Sequence, residues 1–97
     1  MNGRTLSDLV SDELVKLGLE AEGWVKGKQR STSWCPRQSG FGTRCYAGGR
    51  KVYIVQAKMQ GRLRPVTLCD VRLVTITRAR AIARRVLLRA QVGESPA

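Results

Sequence analysis

Two glycine-marked turns, Ala47-Gly48-Gly49 and Gln60-Gly61, divide residues 41–69 into three runs of strand length. Glycine accepts the positive φ that tight hairpins need, so such turns between β-branched runs fold the chain back on itself. The spacing predicts a first strand at 41–46 (FGTRCY), a second at 50–58 (RKVYIVQAK) and a third at 62–69 (RLRPVTLC). The second is rich in β-branched and aromatic residues, which suit a pleated, packed surface. Pro65 has no N–H to give to a ladder, and this places the third strand at an edge.

Helical patterns flank this block. Leu6, Leu9, Val10, Leu14 and Leu17 keep the three-four spacing of one helical face over residues 6–17, with Ser7 or Ser11 as cap and Gly18 as stop. Ile76, Ala79, Ala83, Val86 and Ala90, with Ile82 and Leu87 beside them, form a second apolar stripe. Thr75 or Thr77 supplies its N-cap, Gly93 its stop, and Pro96 prevents continuation. Residues 18–33 mix glycine, charge and small polar groups and read as an irregular connector, with Trp24 and Val25 tucked against the body. Residues 33–40 (SWCPRQSG) read as a lead-in loop or a short edge strand. The expected architecture is α+β: a three-stranded antiparallel sheet packed against a C-terminal helix, with a short N-terminal helix. A chain of 97 residues has room for one modest core.

Charge narrows the function. Residues 1–23 carry two basic side chains against five acidic ones, whereas residues 24–97 carry sixteen against two, Asp70 and Glu94. So lopsided a balance repels itself and calls for a polyanionic partner. Most of the cations are arginines, whose planar fork suits phosphates and guanine edges. A narrow sheet fits a major groove about 12 Å wide. In the second strand, Lys51, Tyr53, Val55 and Ala57 share one face, expected to meet the helix, and Val52, Ile54, Gln56 and Lys58 share the other. Gln56 and Lys58 then reach bases or phosphates, with Arg44 and with Arg62 or Thr67 beside them; Lys51 is also expected to contact phosphates or bases, and Arg50 and Arg64 sit at turns and flanks, where they hold phosphate ridges. Val52 and Ile54 either touch thymine methyls or mark a reversal of the two faces.

Other chemistries find little support. The chain has no histidine, and Cys35, Cys45 and Cys69 stand far apart with no CxxC spacing, so reduced thiols are expected rather than a disulfide framework, and no metal or cofactor. Tyr46 and Tyr53 lie on predicted strands without a histidine to activate them, and no catalytic residue is assigned. Asp8, Asp12 and Glu13 share a helical face and are expected to be solvated. Trp24 and Trp34 are expected to pack rather than to recognise a partner. No apolar run approaches the roughly 20 residues that span a bilayer, and the first residues lack the apolar centre of a signal peptide, so the expected location is cytoplasmic, without a membrane partner.

Residues 33–93 resemble the N-terminal arm-type DNA-binding domain of phage and genomic-island integrases, which are tyrosine recombinases. The resemblance is carried in order by Trp34, Gly40-Phe41-Gly42-Thr43-Arg44, Gly49-Arg50-Lys51 and Val52-Tyr53-Ile54-Val55-Gln56. It continues through Gly61-Arg62-Leu63-Arg64, Val66-Thr67-Leu68, Ile76-Thr77-Arg78-Ala79-Arg80 and the closing Gly93-Glu94-Ser95-Pro96. Three positions depart from the family pattern: Cys35 stands for an aspartate, Ser39 for a proline and Cys69 for a glycine. The resemblance implies a division into residues 1–32 (helix and connector), 33–93 (DNA-binding domain) and 94–97 (start of a linker to an absent catalytic core). It implies binding to duplex arm-type sites beside other integrase protomers, in support of DNA integration and recombination, on the nucleoid of a bacterial host. It also implies that Arg80 braces the sheet. A small basic RNA-binding or ribosome-associated protein is the alternative; single-stranded RNA readers stack bases on exposed aromatics, and Phe41, Tyr46 or Tyr53 would then face outward.

Overall fold

The structure is a computed structural model that describes residues 5–19, 27–59 and 61–94. In chain order it contains α1 (Leu6–Lys16), β1 (Gln29–Trp34), β2 (Phe41–Tyr46), β3 (Lys51–Met59), β4 (Arg62–Asp70) and α2 (Ile76–Glu94). The α+β class holds, but the antiparallel sheet has four strands in the order β1-β2-β3-β4 rather than three. The added strand, β1, comes from the stretch read as connector up to residue 33 and as lead-in loop or short edge strand from there, and the boundary drawn between residues 32 and 33 falls inside it. Pro65 lies on β4, an edge strand, as its missing N–H requires. Trp24, Val25, Gln60 and Pro96 lie outside the described residues.

Local chemistry fixes the helix ends. Thr5, not Ser7 or Ser11, caps α1: its Oγ1 accepts from the Asp8 N–H at 3.2 Å, and Asp8 Oδ2 accepts from the Thr5 N–H at 2.9 Å. This reciprocal box satisfies two donors that would otherwise be orphaned. At the other end, Gly18 at φ 74° lets its own N–H reach the Val15 carbonyl and the Leu19 N–H reach that of Leu14. This is the Schellman closure, and Leu19 packs back on the core beside Leu14. Thr75 rather than Thr77 caps α2, accepting from the Arg78 N–H at 3.2 Å. The helix does not stop at Gly93 but continues through Glu94.

Both helices lie on one face of the sheet. Leu6, Leu9, Val10 and Leu14 of α1 and Ala79, Ile82, Ala83, Val86 and Ala90 of α2 join Phe41, Tyr53, Val55, Leu68 and Cys69 in one core. The rings of Phe41 and Tyr53 stack with centroids 5.6 Å apart. The register slips between β3 and β4: Tyr53 faces Cys69 but Ile54 faces Thr67, so Leu68 is the extra residue of a β-bulge. The bulge lets Leu68 and Cys69, neighbours in sequence, both enter the core.

The second strand's faces divide as expected, with Tyr53, Val55 and Ala57 toward the helices. The opposite face is not open throughout. Val52 and Ile54 are 0% exposed there and form a second cluster with Tyr46, so neither is available to thymine methyls.

Candidate nucleic-acid interface

Strand register decides where each expected contact residue lies. Arg44 pairs with Val52 and Thr67 with Ile54, so both share the second face with Gln56 and Lys58. Arg62 pairs with Met59 and Arg64 with Ala57, which puts both on the helix-facing side instead, together with Lys51. The expected residues therefore do not converge on one face. They form three groups, and the burial of Val52 and Ile54 interrupts the face between them.

The first group is the tip of the β3–β4 hairpin. Pairing of β2 with β3 ends at Phe41–Val55, whereas β3 and β4 remain paired out to Met59–Arg62. The last turn of sheet is thus a two-stranded ribbon. Lys58, Arg62 and Arg64 are exposed on it, and none of them has a carboxylate partner among the described residues. Leu63 and Pro65 are exposed on the same ribbon.

The second group lies on the sheet face. Arg44 is half-buried, and its Nε approaches Thr32 Oγ1 on β1 at 3.5 Å. Gln56 is half-buried and helps line a hollow with Trp34, Pro36, Ser39 and Gly40. Trp34 was expected to pack, and it does so only in part: it is 46% exposed. Its ring leans over Gly42, where a methyl group would stand 2.8 Å from Trp34 Cε3 and 2.6 Å from the Ser33 carbonyl oxygen. Only glycine leaves room for that approach. Phe41, Tyr46 and Tyr53 are all buried.

The third group sits at the opposite end of β3, around Arg50 and Lys51. Arg50 is not a free contact residue: its Nε lies 3.4 Å from Asp70 Oδ2. Asp70 also binds Arg72, which sequence reasoning missed. Its Oδ1 accepts from the Arg72 backbone N–H at 2.9 Å and from Nε at 3.1 Å, and its Oδ2 accepts from Nη2 at 3.3 Å. These Arg72 hydrogen bonds, with Arg50 adding attraction, outweigh the effect of burial and hold the Asp70 carboxyl below the usual carboxylate range. The readable signal was that Asp70 is the sole carboxylate between Glu22 and Glu94.

Charges elsewhere are committed to the fold. Glu13 is 5% exposed rather than solvated. Its carboxylate receives Arg89 at 3.2 Å, Arg85 at 3.4 Å and Lys16 at 3.4 Å, while Arg89 also reaches Asp12 at 3.2 Å. The acidic helix thereby neutralises part of the basic one. Arg84 donates to Gln38 Oε1 at 3.4 Å. Arg80 lines a hollow with Cys35 of the loop before β2, but its buried Nε has no hydrogen-bond partner among the described residues. Burial pushes the Cys35 thiol up, but the backbone N–H groups of Arg37 and Gln38 and the Arg80 guanidinium outweigh it and hold the thiol below its ordinary value. Cys69 differs: burial first, then the Asp70 charge, pushes it up to about 11. No disulfide joins the three cysteines. No helix among the described residues is long and apolar enough to cross a membrane. Comparisons of the chain with protein-family models, curated proteins and solved structures found no match.

Proposed function

We propose that this chain binds duplex DNA without itself catalysing a reaction, in the manner of the arm-type domain of a tyrosine-recombinase integrase. In that role it supports DNA integration and recombination by a catalytic domain on the same protein, on the nucleoid of a bacterial cell. No metal or cofactor enters this reading. The observation that carries it is the hairpin tip, where Lys58, Arg62 and Arg64 project from a thin ribbon with no carboxylate partner among the described residues. A fold that engages Asp12, Glu13 and Asp70 with arginines, yet leaves these cations unmatched, is built to meet an outside polyanion.

Lys51 and Lys58 lie seven residues apart on β3, roughly 23 Å at the rise of an extended strand. That exceeds the roughly 12 Å width of the major groove. The ribbon therefore runs along the groove, with the tip and the far end on phosphates and Gln56 and Thr67 toward base edges. Buried Phe41, Tyr46 and Tyr53 offer no platform for unstacked bases, which favours duplex DNA over single-stranded RNA; Trp34, 46% exposed and in register with Gly42 and Ile54 on the Gln56 face, is the ring an RNA would use, and an RNA probe tests it.

The test is binding measured against salt with three probes of equal length: an integrase arm site, a scrambled duplex and an RNA. Arm-site affinity is expected to exceed the other two and to fall by about 0.9 in log units per phosphate contact for each tenfold rise in salt. Equal affinity for all three would reduce the protein to a nonspecific polycation.

A further inference from the structure

At the end of the sheet away from the hairpin tip, the β2–β3 turn and the end of β4 enclose an open cleft of about 450 Å³. Three cations, Arg50, Lys51 and Arg72, line it beside a single carboxylate, Asp70. The carboxylate is turned inward. Its side chain is 8% exposed, and both of its oxygens already accept from guanidinium or backbone N–H groups. An anion entering the cleft therefore meets the guanidinium shell rather than the Asp70 charge. Arg72 gives its Nε and Nη2 edge to Asp70, and its side chain is 83% exposed, which leaves the Nη1–H/Nη2–H end of the guanidinium open to solvent. Such an edge is suited to the paired oxygens of a phosphate.

The floor of the cleft is bare backbone. Gly48 and Gly49 have φ of 95° and 91°, and a methyl group on either would meet nothing within 4 Å. An oxygen can come up against this turn without meeting a side chain. Lys51 stands exposed beside it.

We infer that this cleft is a phosphate-binding site in which Arg72 and Lys51 are the donors and Asp70 is the positioning residue that aims Arg72. The inference rests on the duplex-binding reading for the owner of the phosphate, a backbone phosphate of DNA. Asp70 fixes the guanidinium before the ligand arrives, so its rotamer freedom is already given up in folding. This makes an unusual demand on a variant. By charge counting alone, Asp70→Asn removes a negative charge and should tighten anion binding. If Asp70 positions Arg72, the same change weakens it.

The test is amide NMR of the full chain titrated with inorganic phosphate, against chloride at matched ionic strength, and separately with duplex DNA. Phosphate is expected to move the Gly48, Gly49 and Arg72 signals saturably, chloride is not, and duplex is expected to move the same three. Asp70→Asn is expected to weaken phosphate binding at least threefold. Arg72→Lys, which keeps the charge on an exposed side chain but loses the fork, is expected to weaken it similarly without altering the fold. Arg72→Ala should lower the salt slope of duplex binding by about one. Tighter or unchanged phosphate binding in Asp70→Asn, with Arg72→Lys also unchanged, overturns the inference. So does duplex binding that leaves these three signals still. Phosphate binding without any duplex binding would sustain the site and overturn the DNA reading instead.

Discussion

On the helix side of the molecule, Arg85 and Arg89 stand 3.4 and 3.2 Å from Glu13; on the hairpin tip, Lys58, Arg62 and Arg64 face no carboxylate among the described residues. Both regions are arginine-rich, and from sequence they look alike. They differ in what folding has done with the charge. Between the helices, cations are matched by Asp12 and Glu13 and serve to dock α1 on α2. At the tip, the ribbon has lost the cover of β2, and its charge is left for solvent or a ligand. Net charge alone overstates the binding surface, because part of it is cancelled inside the fold.

The largest expected effect separates the two regions directly. Replacing Lys58, Arg62 and Arg64 together with alanine should lower the salt slope of duplex binding by about 2.7 and affinity on the order of a hundredfold at moderate salt. The unfolding free energy should stay within about 0.5 kcal/mol of the parent, since the three side chains are exposed and make no ion pair among the described residues. A marked loss of stability would show that the tip is structural after all.

Alkali should act on the other region. The Cys69 thiol is pushed up to about 11 from an ordinary value of 9.0, so the folded state keeps a proton that the unfolded chain releases. Its contribution is complete below pH 9 and is lost as pH rises through about 11, amounting to about 3 kcal/mol in all. Urea unfolding between pH 8 and 11 should show this slope, and Cys69→Ala should flatten it.

A smaller change tests the helix clamp. Glu13→Gln removes the buried charge and turns one acceptor oxygen into an amide NH2, but Lys16 and Arg85 are largely exposed and Arg89 keeps Asp12, so the cost is about 1–2 kcal/mol rather than that of a fully buried pair. Duplex affinity should change less than threefold. A tenfold gain would mean that Arg85 and Arg89, once released, join the binding surface, and the contrast between the regions would need redrawing.

The glycine turns, the two helical stripes apart from Leu17 and Ile76, which are exposed at the helix ends, and the edge position of Pro65 were legible in sequence because each rests on local chemistry. β1 was not. Gln29-Arg30-Ser31-Thr32-Ser33-Trp34 has no apolar alternation, and five of its six residues are exposed; backbone pairing to β2 makes it a strand. The Glu13–Arg89 and Asp12–Arg89 contacts span 76 and 77 residues, beyond any spacing rule. Of the expected contact residues, the pattern placed Gln56 and Lys58 on a common face with Arg44 and Thr67. It left Arg62 or Thr67 open for the third strand, and Thr67 is the one on that face, because partner register follows from the bulge and turn rather than from either strand alone. It missed the capping role of Thr5, whose Thr-x-x-Asp signature was present but lay just before the first apolar residue.

Pro65 has a consequence beyond strand order. Proteins that gather at high local concentration along one duplex bring their sheet margins close together, and an unguarded margin invites copy-on-copy stacking. Here one margin is interrupted by a proline among arginines, and the other is a polar strand broken by a register slip between Gln29 and Ser31. On the proposed duplex-binding reading, neighbouring copies can crowd on DNA without zipping into a fibre.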